Sequence, residues 1–160
     1  MIDAAHDAEP DWLSKAGLAI AVCLLASPPL ACDRGTVTGR VSHVRDGDTI
    51  ELGHLAVRLS GLAAPEWNEA GGIEAREAMI ELVHGRSVRC ELDGSRTYDR
   101  CAGICYLEGR DIAKALVTAG LARDCPRFSG DRYAEAEAQA AAAGAMIRET
   151  YELPGYCNGR

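Results

Sequence analysis

Apolar and polar residues alternate along three stretches early in the chain, residues 35–44, 48–52 and 54–62. A period of two, with β-branched residues at many positions, is typical of a strand that buries one face. Asp46-Gly47 and Leu52-Gly53-His54 separate the stretches and are typical turn sequences. The pattern predicts a meander of three strands.

The spacing of apolar residues becomes helical at residues 71–85, a segment that ends at the helix-stopping Gly85. The predicted buried positions of this helix are Ile73, Met79, Ile80 and Val83. Two more strands are predicted at 86–92 and 102–109, then helices at 111–120 and 132–147. This order predicts an α+β fold, a five-stranded OB-fold barrel with three helices, of which the last is appended to the barrel.

The first 32 residues are predicted to lie outside this domain. An apolar run at residues 16–26 follows Lys15 and ends in SPPLAC, as in an export signal. The run is too short to span a bilayer as a helix. The alternative to an export signal is that this apolar run forms a buried helix of the domain. Residues 1–12 are acidic, whereas the start of an export signal is usually basic. We expect a domain at 33–148 and a tail at 149–160. We also expect the protein to be exported, either to the periplasm or out of the cell; the alternative is that the N-terminal segment anchors it to the membrane.

The cysteines agree with export, because disulfides persist in oxidising compartments. Of the seven cysteines, Cys23 lies in the predicted signal, and an even set of six remains, which allows 15 pairings: Cys32, Cys90, Cys101, Cys105, Cys125 and Cys157. Lipidation of Cys32 is an alternative use of that residue. Without a C-x-x-C pair, and with scattered histidines, a zinc site is not expected.

The net charge of the chain limits the classes of partner that it can bind. The chain carries a net charge of −7, and residues 33–160 hold 16 basic and 20 acidic residues, a net charge of −4. Such a domain is not a general polyanion binder, so a role with nucleic acid requires a local cluster of cations. All but two of the 17 basic residues are arginines, the side chain suited to forked phosphate contacts.

Arg58 and Glu66 stand near the two ends of VRLSGLAAPEW, a stretch that is otherwise uncharged. Burial of either charge without a partner is costly, so both are predicted to serve a ligand. Strand alternation sends Arg58 to the face opposite the core, and Pro65 restricts where the Glu66 carboxylate can lie. Arg100 is predicted at the start of the fifth strand.

Several motifs, taken in order, resemble those of the staphylococcal nuclease (thermonuclease) family. They are DGDTI at 46–50, VRLSGLAAPE at 57–66, YDR at 98–100, DIAKALVTAGLA at 111–122 and, as the last helix, 132–147. The resemblance covers residues 36 to about 147. It implies a calcium-dependent phosphodiesterase that cleaves DNA and RNA.

The resemblance also implies site residues. Arg58, Glu66 and Arg100 match the catalytic residues of the family, with Glu66 as general base and the arginines on the phosphate. Asp48 matches a calcium ligand, the backbone carbonyl of Ala64 matches another, and Asp46 is a further candidate. For substrate binding, Tyr98 matches a tyrosine near the nucleotide, whereas Phe128 and Tyr133 are predicted to stack on a base from their loop.

Ala63 departs from the family pattern, which has a calcium-binding aspartate at this position. Loss of a carboxylate ligand weakens calcium binding, and Asn68, Glu69 or Asp46 are the candidates to compensate. We therefore expect an exported nuclease with weak sequence preference. The alternatives are an OB-fold nucleic-acid-binding module that has lost its calcium site, and a disulfide-stabilised interaction protein of the cell envelope. The second of these leaves Arg58 and Glu66 unexplained.

Overall fold

A computed structural model of the chain describes residues 32–145 and 147–158. The predicted export signal lies outside these residues. Eight strands occur in the described part: β1 (Gly35–Val44), β2 (Thr49–Leu52), β3 (Leu55–Leu59), β4 (Leu62–Ala63), β5 (Ser87–Thr97), β6 (Arg100–Leu107), β7 (Arg110–Asp111) and β8 (Arg123–Asp124). The helices described are α1 (Gly72–Val83), α2 (Ile112–Thr118), α3 (Pro126–Ser129), α4 (Ala134–Ala142) and α5 (Ile147–Thr150), with a 3-10 turn at Gly155–Cys157.

Five of the strands close into a barrel. Antiparallel pairing gives the order β3-β2-β1-β5-β6, and β6 pairs in parallel with β3 to complete the circle. In that closing pair Arg58 lies opposite Ala102 and Val57 opposite Cys101. The predicted five-stranded OB-fold barrel is therefore confirmed. Because the barrel is closed, each of its five strands is hydrogen-bonded to a neighbour on both sides.

The core fills the barrel and continues under α1 and α2. Val41, Ile50, Val57 and Leu59 are buried inside the barrel. Helix α1 adds Ala75, Met79 and Val83 to the same cluster. The predicted helix is thus confirmed, but one of its predicted core positions is wrong. Ile73 lies in the first turn of α1 and is 59% exposed, because the small residues Gly72 and Ala75 take the buried face there.

Helices α2 and α4 pack on each other at one side of the barrel. Asp111 caps α2, since its carboxylate accepts a hydrogen bond from the Lys114 N–H at 3.1 Å. Tyr133 precedes α4 and donates its hydroxyl to the other oxygen of Asp111 at 3.0 Å. The predicted helix 132–147 is shorter in the structure, because the chain turns at Gly144 with a φ of 87° before α5 begins.

Three disulfides account for the even set of six cysteines: Cys32–Cys101, Cys90–Cys105 and Cys125–Cys157. The first two tie strand β6 to the start of the domain and to β5. The alternative use of Cys32 as a lipidation site is contradicted, because its sulfur is bonded to Cys101.

A second, smaller apolar cluster lies beside the barrel. Strand β4 pairs with β8, and the buried Ala63 of β4 packs with residues from the end of the chain. The other buried members of this cluster are Cys125, Ile147, Tyr151 and Cys157. The segment after residue 148, predicted only as a tail, thus contributes buried side chains to the fold. Among the described helices, none has the length and apolar character needed to cross a membrane.

Truncation of Met79 tests the assignment of the core. Met79→Ala removes a fully buried side chain, so we expect a loss of about 2 to 5 kcal/mol in the free energy of unfolding. Urea denaturation measures this loss. Ile73→Ala, on the same helix, is the matched control and should shift stability by no more than about 0.5 kcal/mol. Equal losses in the two variants would contradict the observed burial.

Candidate active site

Arg58 reaches the outside of the barrel from the middle of β3. Its neighbours Val57 and Leu59 are buried in the core, as the alternation predicts. Ala56 is an exception, since it is buried on the predicted outer face. The Arg58 guanidinium lies against Asp48, with Nη2 2.6 Å from Oδ2, and only 16% of its side chain is exposed. Arg58 is therefore oriented by a carboxylate rather than free in solvent.

Asp48 lies in the turn between β1 and β2 and is 3% exposed. This turn packs so closely that a Cβ at Gly47 would meet the Cβ of Ala64 at 2.7 Å. Asp46 accepts a hydrogen bond from the Asp48 N–H at 3.0 Å, and the Thr49 hydroxyl donates to Asp48 Oδ1 at 2.7 Å. Burial raises the pKa of Asp48 to about 7, while the charge of Arg58 opposes this shift.

Arg100, the first residue of β6, is the second arginine next to Asp48. Its Nη1 lies 3.9 Å from Asp48 Oδ1 and donates to the Thr49 hydroxyl oxygen at 3.0 Å. The neighbouring Asp99 pairs instead with Arg45 at 2.7 Å. Two guanidinium groups thus share one buried carboxylate, which leaves their remaining N–H donors for a ligand.

Glu66 projects from the loop between β4 and α1, after the buried Pro65. The Glu66 N–H donates to Glu69 Oε2 at 2.8 Å, and the Glu66 carbonyl accepts from the Glu69 N–H at 2.9 Å. The loop also passes so close to α1 that a Cβ at Gly72 would lie 1.8 Å from the Glu66 carbonyl oxygen. These contacts fix the backbone of Glu66 and leave its side chain exposed.

Arg58, Glu66 and Arg100 line one cleft of about 410 Å³ on the outside of the barrel. The three residues that the resemblance implies as catalytic therefore share one cleft, whereas the buried Asp48 does not line it. The cleft also contains Tyr98, which is 88% exposed, and Phe128 of α3. This volume is in the range that small-molecule sites occupy.

Tyr133 does not belong to the cleft. The prediction that it stacks on a base is contradicted, because its side chain is fully buried between the barrel and α4 with its hydroxyl on Asp111. Tyr156 takes a place in the cleft that the sequence did not indicate, and its hydroxyl lies 3.4 Å from Arg58 Nη2. The only signal for it was the adjacent Cys157, one of the six cysteines expected to pair.

The donor set does not fit a calcium ion. Calcium takes about six to eight oxygen ligands, usually with several carboxylates. Asp48 is engaged by two arginines, and Asp46 accepts from the backbone of that turn. Ala63 is buried among apolar side chains, so no carboxylate is available there. The described residues contain no group of three or more His, Cys, Asp or Glu side chains that could hold a metal.

Comparison with known proteins places this cleft in context. The family model of staphylococcal nuclease homologues matches residues 56–147. An uncharacterized endonuclease of Haemophilus influenzae is 31% identical over 120 residues, 71% of this chain and 67% of that protein. The succinoglycan biosynthesis protein ExoI of Rhizobium meliloti is 34% identical over 123 residues, 69% of this chain and 64% of that protein. An uncharacterized endonuclease of Escherichia coli O157:H7 is 32% identical over 115 residues, 69% of this chain and 74% of that protein.

Removal of Arg58 tests the role of the ion pair. In Arg58→Met the buried Asp48 loses its 2.6 Å partner, and we expect a loss of about 3 to 5 kcal/mol in the free energy of unfolding at pH 8. Asp48→Asn added to Arg58→Met should restore part of this loss, because the buried carboxylate charge is then removed. Urea denaturation of the two variants measures both effects. Arg89→Met, which breaks an exposed pair with Glu91, is the control and should cost less than about 1 kcal/mol.

Proposed function

Because the chain belongs to the family of staphylococcal nuclease homologues, we propose that it hydrolyses phosphodiester bonds of DNA or RNA with little sequence preference. The observation that carries this proposal is the convergence of Arg58, Glu66 and Arg100 on one cleft. A site that binds phosphate through arginines contacts the part of a nucleic acid that carries no sequence information. The relatives whose printed names are endonucleases support the same activity.

Glu66 is the general base in this proposal. Its carboxylate is exposed in the cleft on a fixed backbone, so it can orient a water molecule and accept its proton. The water oxygen forms the new bond to phosphorus as the bond to the leaving ester oxygen breaks. The roles of Arg58 and Arg100 are to bind the non-bridging oxygens and to stabilise the charge that grows on them.

Asp48 acts through the two arginines. It lies behind them, away from solvent, and its contacts at 2.6 Å to Arg58 and 3.9 Å to Arg100 orient both groups. Preorganised donors stabilise a transition state without reorganisation at the moment of reaction. We infer that Asp48 is a positioning residue.

Calcium is the cofactor that the family implies, with Asp48, the Ala64 carbonyl and Asp46 as its candidate ligands. Since the donor set does not fit this ion, we assign no step of the reaction to it. The same poor donor set favours a second candidate function, a binding module that holds nucleic acid without cleavage. Metal dependence is therefore part of the test.

We also propose that the protein works outside the cytoplasm. The three disulfides among the described residues favour an oxidising compartment, and the apolar run at residues 16–26 favours export. Extracellular nucleic acid would then be its substrate.

Glu66→Gln tests the activity. We expect kcat for a single-stranded DNA oligonucleotide to fall about 100- to 10,000-fold, because the amide cannot accept the proton. The control Glu74→Gln changes an exposed residue of α1 outside the cleft and should leave kcat unchanged.

Each protein is assayed with calcium, magnesium, manganese and chelator. Cleavage that depends on an added metal would show that other oxygens complete a metal site. Cleavage that survives Glu66→Gln would contradict the assignment of the base. Binding of the oligonucleotide without cleavage under any condition would favour the binding module.

Gly72→Ala tests the placement of Glu66. The added Cβ would lie 1.8 Å from the Glu66 carbonyl oxygen, so the loop must move and carry the carboxylate with it. We expect kcat to fall about 10- to 100-fold, since a displacement near 1 Å has that effect. Gly35→Ala is the matched control, because a Cβ there meets nothing within 4 Å. An unchanged kcat in a folded Gly72→Ala protein would refute this role of the loop.

A further inference from the structure

Asp93 of β5 lines the cleft together with Glu66, the proposed general base. No step of the proposed hydrolysis uses this second carboxylate. Because a carboxylate repels phosphate, its position in a cleft that binds phosphate requires another explanation. A carboxylate accepts hydrogen bonds and donates none, so the group that Asp93 can hold on a ligand is a hydrogen-bond donor.

A bulge in the barrel places Asp93 in the cleft. Strand β5 pairs regularly with β6 on either side of residues 93–95, and these three residues together face the single residue Ala102. Bulges redirect side chains and are frequent next to active sites. Gly94, in the middle of this bulge, has a φ of 84°, a conformation that glycine adopts without strain.

The bulge lies directly across β6 from the phosphate-binding side. Ala102 is also the residue that pairs with Arg58 of β3 on the other edge of β6. Arg58 and the bulge therefore flank one position of β6, with their backbones about 10 Å apart across the sheet. Between them, the single methyl group of Ala102 lines the cleft and leaves room for a ligand. Such a ligand has a cation on one side and the Asp93 carboxylate on the other.

Hydrogen bonds orient the Asp93 carboxylate and leave it able to accept one more. Oδ1 accepts from the N–H of Ser95 at 2.7 Å and from the Ser95 hydroxyl at 2.6 Å. The Ser60 hydroxyl donates to Oδ2 at 3.4 Å. A carboxylate has about four acceptor positions, and these contacts occupy three of them. Oδ2 therefore retains a position for a donor on a ligand.

A nucleotide carries hydrogen-bond donors on its base and on its sugar. The donors on the base differ among the four bases, so a contact with them imposes a sequence preference. A sugar hydroxyl is the same in every nucleotide and imposes none. Within a DNA strand the sugars have no hydroxyl left, whereas every RNA nucleotide keeps its 2′-hydroxyl, the group by which proteins distinguish RNA from DNA.

We propose that Asp93 accepts a hydrogen bond from the ribose 2′-hydroxyl next to the phosphate that Arg58 and Arg100 bind, and that the protein therefore prefers RNA to DNA. This inference rests on the proposed function and names its substrate class. The two arginines bind the phosphate of either nucleic acid, so the preference comes from Asp93, which is a specificity-determining residue.

Binding measured without cleavage tests this preference. The full chain carrying Glu66→Gln is titrated by fluorescence anisotropy with three labelled uracil strands of equal length. Their sugars are ribose, 2′-deoxyribose and 2′-fluoro-2′-deoxyribose, of which the last keeps the sugar shape of RNA but has no hydroxyl. We expect the ribose strand to bind about 5- to 50-fold more tightly than either other strand, because a hydrogen bond to a charged acceptor has an effect of this size.

Asp93→Asn, added to the same chain, removes the acceptor with little change in shape. The amide oxygen can still accept from Ser95, so the bulge is retained, but an NH₂ group replaces Oδ2. We expect this variant to bind the three strands with equal affinity. Ser60→Ala leaves Oδ2 in place and should keep the preference. Asp131→Asn, which removes the same charge from an exposed position outside the cleft, is the matched control and should also keep it.

The outcomes separate this proposal from the proposed hydrolysis. Equal affinity of the parent for the ribose and deoxyribose strands, or a preference that survives Asp93→Asn, would overturn the role of Asp93, even if the chain with Glu66 intact cleaves nucleic acid. A fluoro strand that binds as tightly as the ribose strand would also overturn it, because sugar shape rather than the hydroxyl would then be recognised. A ribose preference that Asp93→Asn abolishes would support it, even if no strand is cleaved.

Discussion

The contact between the buried carboxylate of Asp48 and the guanidinium of Arg58 is the interaction on which the cleft depends. A buried carboxylate without a cation is costly, so the turn that carries Asp48 is acceptable only where β3 and β6 bring Arg58 and Arg100 to it. Parallel pairing of β3 with β6 closes the barrel at this point and places Arg58 opposite Ala102. The closure of the fold and the grouping of the charges are thus two aspects of one arrangement.

Ala63 and the end of the chain are coupled in a similar way. The position that carries a calcium-binding carboxylate in the family lies here inside an apolar cluster with Tyr151 and the Cys125–Cys157 disulfide. A carboxylate at that position would be buried in this cluster, and Arg123, the cross-strand partner of Ala63, already pairs with Glu137, so its burial is unfavourable. The absence of the acidic ligand and the docking of residues 147–157 therefore agree with each other physically.

Short-range patterns in the sequence predicted the strands of the barrel and helices α1, α2 and α4, because strand alternation and turn residues act within a few positions. The grouping of Arg58, Glu66 and Arg100 in one site was implied by the family resemblance and not by these patterns. The patterns failed where a side chain's surroundings come from distant segments. Ile73 has helical spacing, but it is exposed because Gly72 and Ala75 occupy the buried face at the start of α1. Tyr133 precedes α4, but its side chain is buried with its hydroxyl on Asp111. Tyr156 could not be placed, since its position depends on which of 15 disulfide pairings forms.

The Cys125–Cys157 bond also constrains how the cleft can move. Loops beside a binding site usually open locally at little free-energy cost. Here α3 and the turn at Gly155–Cys157 are joined covalently and pack on each other, so one cannot swing outward while the other stays in place. Any widening of the cleft on this side must be a concerted displacement of both segments. Amide hydrogen exchange in Phe128 and Tyr156 would then follow a single opening event shared by two stretches far apart in sequence.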